Sequence, residues 1–133
     1  MMTSYKRHAL AILVTTLLAA VIAYLTLTPM RLEPPERLLS DKAYHLLAFA
    51  ALIFPCALVY RRSLIFVVPA AVVFGATIEL IQPLVGRSAE WADFLADVIG
   101  VALGLITSQM VRLWISKSAA GQRLRSRRAR ASR

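Results

Sequence analysis

Apolar residues fill four stretches of the chain, and each stretch is long enough to cross a bilayer as a helix. The stretches cover approximately residues 9–28, 43–60, 64–82 and 92–115. A helix rises about 1.5 Å per residue, so roughly 20 residues cross about 30 Å of hydrocarbon. Pro29 and the charged loop after it end the first stretch, because proline does not continue a helix. The pattern predicts an all-α membrane protein, a bundle of four transmembrane helices.

The composition fits a small membrane protein. Of the 133 residues, 59% are hydrophobic and 17% are charged, which lies outside the range of an ordinary soluble domain. The first apolar stretch follows a basic segment, as a secretory signal would, but it exceeds the usual apolar length and no clear cleavage site follows. We therefore expect it to be retained. The single cysteine, Cys56, allows no intrachain disulfide.

Basic residues are divided unevenly between the two sides of the predicted bundle. The net charge is +9, and most of the cations lie at the two termini and in the loop between the second and third helices. The positive-inside rule then places both termini in the cytoplasm. Residues 1–8 form a cytoplasmic N-terminus, 9–115 the transmembrane domain, and 116–133 a basic cytoplasmic tail with no fold of its own. Attraction to anionic lipid explains this tail, so we expect no nucleic-acid partner.

Small residues recur every four positions along the fourth helix. They include Ala96, Gly100 and Gly104, and such a stripe lets another helix approach closely. The third helix offers a partner face that contains Gly75. We expect the third and fourth helices to pack through these positions.

Polar residues from three predicted helices reach the same outer third of the membrane. The candidate site residues are Asp41, Lys42, His45, Glu79, Gln82, Arg87, Asp93 and Asp97. The polar pairs within each helix are spaced three or four residues apart and therefore share a face. Because an ionisable group in a span costs about 2.5 to 3.5 kcal/mol, such groups are retained where they meet one another, water or a ligand. We expect the cluster to hold a proton, a cation or the cationic group of a ligand.

Several of these residues also have a structural interpretation. Asp41 suits the N-cap of the second helix, while Lys42 and Glu90 suit a solvated loop. For Glu79, Arg87, Asp93 and Asp97, the structural alternative is a salt-bridge network that joins the third and fourth helices.

Three ordered motifs resemble the VanZ-like family of small bacterial membrane proteins. They are DKAYHLLAF (residues 41–49), ELIQ (79–82) and GRSAEWADFLADVIGVALG (86–104). The resemblance covers residues 29–104 and implies a polar site formed by the candidate residues, with Asp97 standing where the family often has Asn. It also implies the bacterial cytoplasmic (inner) membrane. The named member of the family is associated with resistance to teicoplanin, a lipoglycopeptide that acts on cell-wall precursors at the outer leaflet.

Three functions remain open at the level of the sequence. The favoured one is binding of a membrane lipid, a lipid-linked envelope component or a glycopeptide antibiotic, which modulates the cell envelope. A metal-assisted hydrolase or transferase would use His45 and the carboxylates, but no HExxH or GxSxG motif is present, so we favour a protein that is not an enzyme. A small proton-coupled transporter is less favoured, because the first span contains no acid. The sequence identifies no cofactor, metal or oligomeric state.

Overall fold

The computed structural model describes residues 4–28, 39–60 and 63–131, and these residues form four α-helices. The helices are α1 (Ser4–Leu27), α2 (Asp41–Val59), α3 (Leu64–Ile81) and α4 (Trp91–Ala131), with a short 3-10 helix (Gln82–Val85) after α3. Each α-helix contains a segment long and apolar enough to cross a membrane. The prediction of an all-α protein with four potential membrane spans is therefore confirmed. The charged loop after Pro29 and the basic turn at residues 61–62 lie outside the described residues.

Successive helices run in opposite directions, so the bundle has two chemically different ends. His45 of α2 contacts Asp97 of α4 near the start of both helices. Gln82, just after α3, donates to the Thr26 carbonyl in the last turn of α1. Arg112 of α4 lies at the opposite end, against the last turn of α2. We call the end around Asp97 the acidic end and the end around Arg112 the basic end.

Large apolar side chains cover the outside of the bundle. Leu17 is 56% exposed, Phe66 76% and Leu80 77%, and similar side chains are found on the outer faces of all four helices. Soluble monomers rarely expose contiguous apolar surface on this scale. Such a surface is suited to contact with the hydrocarbon chains of a bilayer.

The closest helix pair is α2 and α4. A Cβ atom added at Gly100 would lie 2.3 Å from the Leu46 carbonyl oxygen, and one added at Gly104 would lie 2.4 Å from the Ala50 carbonyl oxygen. Only glycine permits this backbone contact, while Ala96 extends the same buried stripe toward the acidic end. At Gly100 and Gly104 the partner of the stripe is therefore α2 and not the predicted third helix, whereas Gly75 of α3 faces Asp97 of α4. A stripe of small residues indicates which face is buried, and it does not identify the helix that covers that face.

A polar contact joins α1 to α2 in the middle of the bundle. The Thr15 hydroxyl lies 3.3 Å from the sulfur of Cys56, which is buried, and 3.4 Å from the Leu52 carbonyl oxygen. Pro55 interrupts α2 in this region because it has no N–H to donate to the preceding turn. The threonine of α1 therefore supplies a donor beside the interrupted turn.

The last helix is longer than the sequence predicts. The fourth span was expected to end near residue 115 and to be followed by an unfolded tail, but α4 continues to Ala131. Arginine and alanine make up most of this segment and have high helix propensity. They extend a helix whose first turns are already formed, which avoids the cost of nucleation. A basic helical extension over residues 116–131 therefore replaces the expected tail.

Candidate functional site

A buried histidine–aspartate pair forms the centre of the acidic end. The distance from His45 Nδ1 to Asp97 Oδ1 is 2.9 Å, and the two residues are 7% and 1% exposed. Each residue lies in the second turn of its helix, and the close packing at Gly100 brings the two turns together. A carboxylate only accepts hydrogen bonds, so Nδ1–H is the donor. In the neutral ring this leaves the lone pair on Nε2.

Glu79 reaches the same cluster from the last turn of α3. Its Oε2 atom accepts a hydrogen bond of 3.0 Å from the backbone N–H of Glu90. Gly86 ends the 3-10 helix with φ +76°, a left-handed conformation that favours glycine, and the chain returns from there to the start of α4. Backbone N–H groups at a helix start have no partner within the helix and attract carboxylates. The Glu79–Glu90 hydrogen bond therefore ties the end of α3 to the start of α4.

Lys42 lies at the rim of the cluster. Its Nζ atom is 2.9 Å from Glu90 Oε2 and 3.5 Å from Asp93 Oδ1. The side chains of Lys42 and Glu90 are half exposed, whereas Asp93 is buried. Exposed ion pairs contribute at most about 1 kcal/mol, so this pair orients the rim more than it stabilises the fold. Against this single lysine, the cluster contains the carboxylates of Glu79, Glu90, Asp93 and Asp97, so negative charge remains in excess.

Two buried carboxylates each retain an oxygen atom without a hydrogen-bond donor among the described residues. These atoms are Glu79 Oε1 and Asp97 Oδ2, whereas Asp93 Oδ1 lies 3.5 Å from Lys42 Nζ. A buried polar atom left without a hydrogen bond costs about 1 to 3 kcal/mol, and more when it is charged. A Cβ atom added at Gly75 would lie 2.8 Å from Asp97 Oδ2. This oxygen therefore points toward α3, one turn before Glu79.

An apolar cleft of about 260 Å³ lies beside the cluster, between the end of α3 and the start of α4. Its lining residues are Ala76, Glu79, Leu80, Ala89, Glu90, Trp91 and Phe94. Trp91 is 87% exposed and contacts the Phe94 ring edge-on at 6.4 Å between ring centroids. The cleft is therefore open to the apolar outer surface, and its polar wall is the same pair of glutamates that joins α3 to α4.

Gln82 and Arg87 bind the end of α1 and do not enter the acidic cluster. Gln82 Nε2 donates to the Thr26 carbonyl and Arg87 Nη1 to the Leu25 carbonyl, both at 3.4 Å. Among the residues that the structure describes, no carboxylate lies within ion-pair distance of Arg87. The structural alternative, an arginine–carboxylate network between the third and fourth helices, is therefore not formed by Arg87 among the described residues. The last carbonyls of a helix have no partner within it, and cationic or amide donors satisfy them.

Asp41 lies in the exposed first turn of α2 and not among the buried acids. Ser40 is the N-cap, and its hydroxyl oxygen accepts from the Ala43 N–H at 3.3 Å. A carboxylate in the first turn interacts favourably with the positive end of the helix dipole. The structure therefore supports a helix-end role for Asp41.

Glu90 is the residue of the site that the sequence did not single out. It was expected to be a solvated loop charge, yet its N–H binds Glu79 and its side chain binds Lys42. Its position immediately before a predicted helix was the available signal, because helix starts present unpaired N–H groups.

No protein-family model, curated protein or solved structure matches this chain.

Proposed function

We propose that the chain is a multi-pass membrane protein that binds an amphiphile, a lipid or a lipid-linked envelope component, at its acidic end. The observation that supports this function is the junction of an apolar cleft with a buried, unpartnered carboxylate oxygen of Glu79. Binding sites for small molecules combine apolar walls with a few polar groups that fix orientation. The cleft suits an acyl or prenyl chain. Because the unpartnered atoms are all acceptors, the head must bring hydrogen-bond donors or positive charge.

The charge distribution along the chain supports a location for this binding. Both termini are cytoplasmic under the positive-inside rule, which directs the acidic end to the outer leaflet. The VanZ-like motifs support the bacterial cytoplasmic membrane. Lipid-linked wall precursors are present there, and teicoplanin acts on them. Binding at the acidic end therefore modulates the envelope, and altered teicoplanin susceptibility is the cellular readout.

Native mass spectrometry of the full chain, released from nanodiscs made with bacterial lipid extract, tests the binding function. Ala76 lines the cleft, so Ala76→Leu fills the space that an apolar chain would occupy. Ala70→Leu adds the same side chain to an exposed position of α3 outside the cleft and serves as the control. We expect Ala76→Leu to lower amphiphile retention about tenfold, the equivalent of about 1.4 kcal/mol. Equal retention in both variants and the unmodified protein would contradict the proposal.

Cell-based measurement connects the site to the envelope. Expression of the unmodified chain is expected to shift teicoplanin susceptibility, and Ala76→Leu is expected to remove that shift while Ala70→Leu keeps it. Membrane levels of the three proteins must be equal for the comparison. If Ala76→Leu still shifts teicoplanin susceptibility, the cleft is not the cause of the shift.

One observation favours a second function, a metal-assisted hydrolase or transferase. Ligand atoms of His45, Glu79 and Asp97 lie within 4.8 Å of one another, and a divalent ion held there would polarise a lipid phosphate. Release of a labelled head group from lipid vesicles, abolished by a chelator, would identify this activity. Amphiphile retention that survives the chelator, without any such release, favours binding alone.

A further inference from the structure

We propose that His45, Glu79 and Asp97 form a binding site for a divalent first-row transition-metal ion. The three residues come from α2, α3 and α4, all are buried, and one ligand atom from each lies within 4.8 Å of the others. This site goes beyond amphiphile binding and does not depend on it, because the ion is measured on the protein alone.

The pairing of the two carboxylates leaves one oxygen of each available to an ion. Glu79 Oε2 accepts from the Glu90 N–H, and Asp97 Oδ1 accepts from His45. Their other oxygens, Glu79 Oε1 and Asp97 Oδ2, have no donor among the described residues. Each carboxylate is thus oriented through one oxygen and unpartnered at the other. For Glu79, the Glu90 N–H acts as the outer-shell hydrogen bonds that commonly hold ligand carboxylates in metal sites.

Charge balance favours a divalent ion over none. With a neutral His45, the two carboxylates place two negative charges in a buried space, and the cation of the cluster, Lys42, is at the exposed rim next to other acids. Burying an uncompensated charge costs several kcal/mol even after relaxation. A divalent ion cancels both charges where they occur.

The spacing requires only a small contraction. Bonds from a transition ion to nitrogen and oxygen of about 2.0 to 2.2 Å place neighbouring ligands about 3 to 3.5 Å apart. His45 Nδ1 and Asp97 Oδ1 already lie 2.9 Å apart, and Glu79 has a flexible side chain. A rotation of the Glu79 side chain is therefore the main adjustment that the site requires.

The donor set indicates the class of ion. Imidazole nitrogen with carboxylate oxygens suits Zn²⁺ or Mn²⁺, whereas Mg²⁺ and Ca²⁺ prefer sites made of oxygen alone. His45 Nδ1 lies 2.9 Å from Asp97 Oδ1, so it is the ring nitrogen that can share an ion with this carboxylate. The ion then replaces the Nδ1 proton, and the neutral ring carries its N–H on Nε2. Three protein ligands leave at least one further coordination position for water or a ligand head group.

Metal content of the purified full chain is the direct test. The protein, carrying no polyhistidine tag, is stripped with a chelator, equilibrated separately with Zn²⁺, Mn²⁺ or Mg²⁺, desalted, and measured by inductively coupled plasma mass spectrometry. We expect about one Zn²⁺ or Mn²⁺ per chain and no retained Mg²⁺. Glu79→Gln and Asp97→Asn should each weaken the Kd by at least about 100-fold, because each removes a charged ligand. Asp41→Asn makes the same change at the exposed start of α2 and should leave the Kd unchanged.

Cobalt spectroscopy of the unmodified protein keeps the test independent of how the variants fold. Co²⁺ bound by nitrogen and oxygen ligands should give saturable visible absorption that Zn²⁺ displaces. Absence of stoichiometric Zn²⁺, Mn²⁺ and Co²⁺ binding overturns the proposal, and a cluster neutralised by a proton or an amine gives this result. An unchanged Kd in Glu79→Gln and Asp97→Asn overturns it as well. Amphiphile retention by the stripped protein then shows separately whether the binding function stands.

Discussion

The two ends of the bundle use their charged residues differently. At the basic end, Arg112 Nη2 donates to the carbonyls of Ala57 and Leu58, the latter at 2.8 Å, in the last turn of α2. Tyr60 there donates to the His8 carbonyl at 3.3 Å. At the acidic end, buried carboxylate oxygens remain without donors. Arg112 is thus used in hydrogen bonds that hold the fold together. The buried acids of the acidic end, by contrast, keep oxygen atoms that can bind a ligand or an ion.

The sign of the charge explains this difference better than its position does. Arg87 lies at the acidic end, yet it also binds a carbonyl at a helix C-terminus, as Arg112 does. A helix C-terminus offers unpaired carbonyls to a cation, and a helix N-terminus offers unpaired N–H groups to an acid. The Glu90 N–H serves Glu79 in this way, and the remaining carboxylate oxygens of the cluster exceed the supply of donors. An excess of hydrogen-bond acceptors over donors therefore distinguishes the candidate site.

The largest expected effect comes from separating the helices beneath the acidic end. In Gly100→Leu the new side chain meets the Leu46 carbonyl, so α2 and α4 must move apart and the His45–Asp97 hydrogen bond is lost. We expect unfolding to become easier by about 3 kcal/mol or more, together with loss of metal binding. Unfolding in mixed detergent micelles measures the stability. Ala102→Leu, on the exposed face of the same helix, is the control, and equal stability of the two variants would disprove the α2–α4 contact.

Arg112→Leu should affect stability without affecting binding. The change leaves the carbonyls of Ala57 and Leu58 without their donor, and hydrogen bonds to a charged group contribute about 1.5 to 3 kcal/mol. We expect a loss of about 2 to 3 kcal/mol in the free energy of unfolding and an unchanged Zn²⁺ affinity. Arg112→Lys keeps a charged donor, so its free energy of unfolding should lie between that of Arg112→Leu and that of the unmodified protein. A parallel loss of metal affinity would show that the two ends are coupled.

Asp97→Asn should show the opposite behaviour. The amide oxygen of asparagine still accepts from His45 Nδ1–H, while one uncompensated buried charge disappears. In the metal-free protein we expect the free energy of unfolding to change by less than about 1 kcal/mol or to rise, although metal binding is lost. If the free energy of unfolding fell as much as in Arg112→Leu, the His45–Asp97 pair would be a stabilising contact. The two ends would then not differ in how they use their charged residues.

The smallest expected effect is that of Lys42→Gln at the exposed rim. Its ion pairs with Glu90 and Asp93 should contribute less than about 1 kcal/mol. That contribution should shrink further as ionic strength rises, because salt screens exposed charges. Unfolding measured at low and high salt checks both statements. A large loss in the free energy of unfolding that does not depend on salt would show that Lys42 stabilises the buried part of the site.

Much of this architecture is predictable from hydropathy and helical spacing. Runs of apolar residues predict four spans, and the alternating direction of the spans places His45, Glu79 and Asp97 at one end. Spacing of four residues places Asp93 and Asp97 on one face of α4. These predictions need only the period of the helix and the order of the segments along the chain.

The partners of individual residues were less predictable, because they depend on which helices are neighbours. Gly100 and Gly104 indicate a buried face, and the structure assigns that face to α2. Arg87 follows an acidic motif in sequence but lies beside the carbonyls of α1. The contribution of Glu90 comes from its backbone N–H, which side-chain identity does not reveal. Long-range packing decides all three cases.

Cys56 gives the chain a built-in chemical reporter. It is the single cysteine of the sequence, and its sulfur is buried against Thr15 of α1. A thiol reagent reaches this atom only when α1 moves away from α2. The rate at which the unmodified protein is labelled in a bilayer therefore measures how often the bundle opens, without the introduction of any probe.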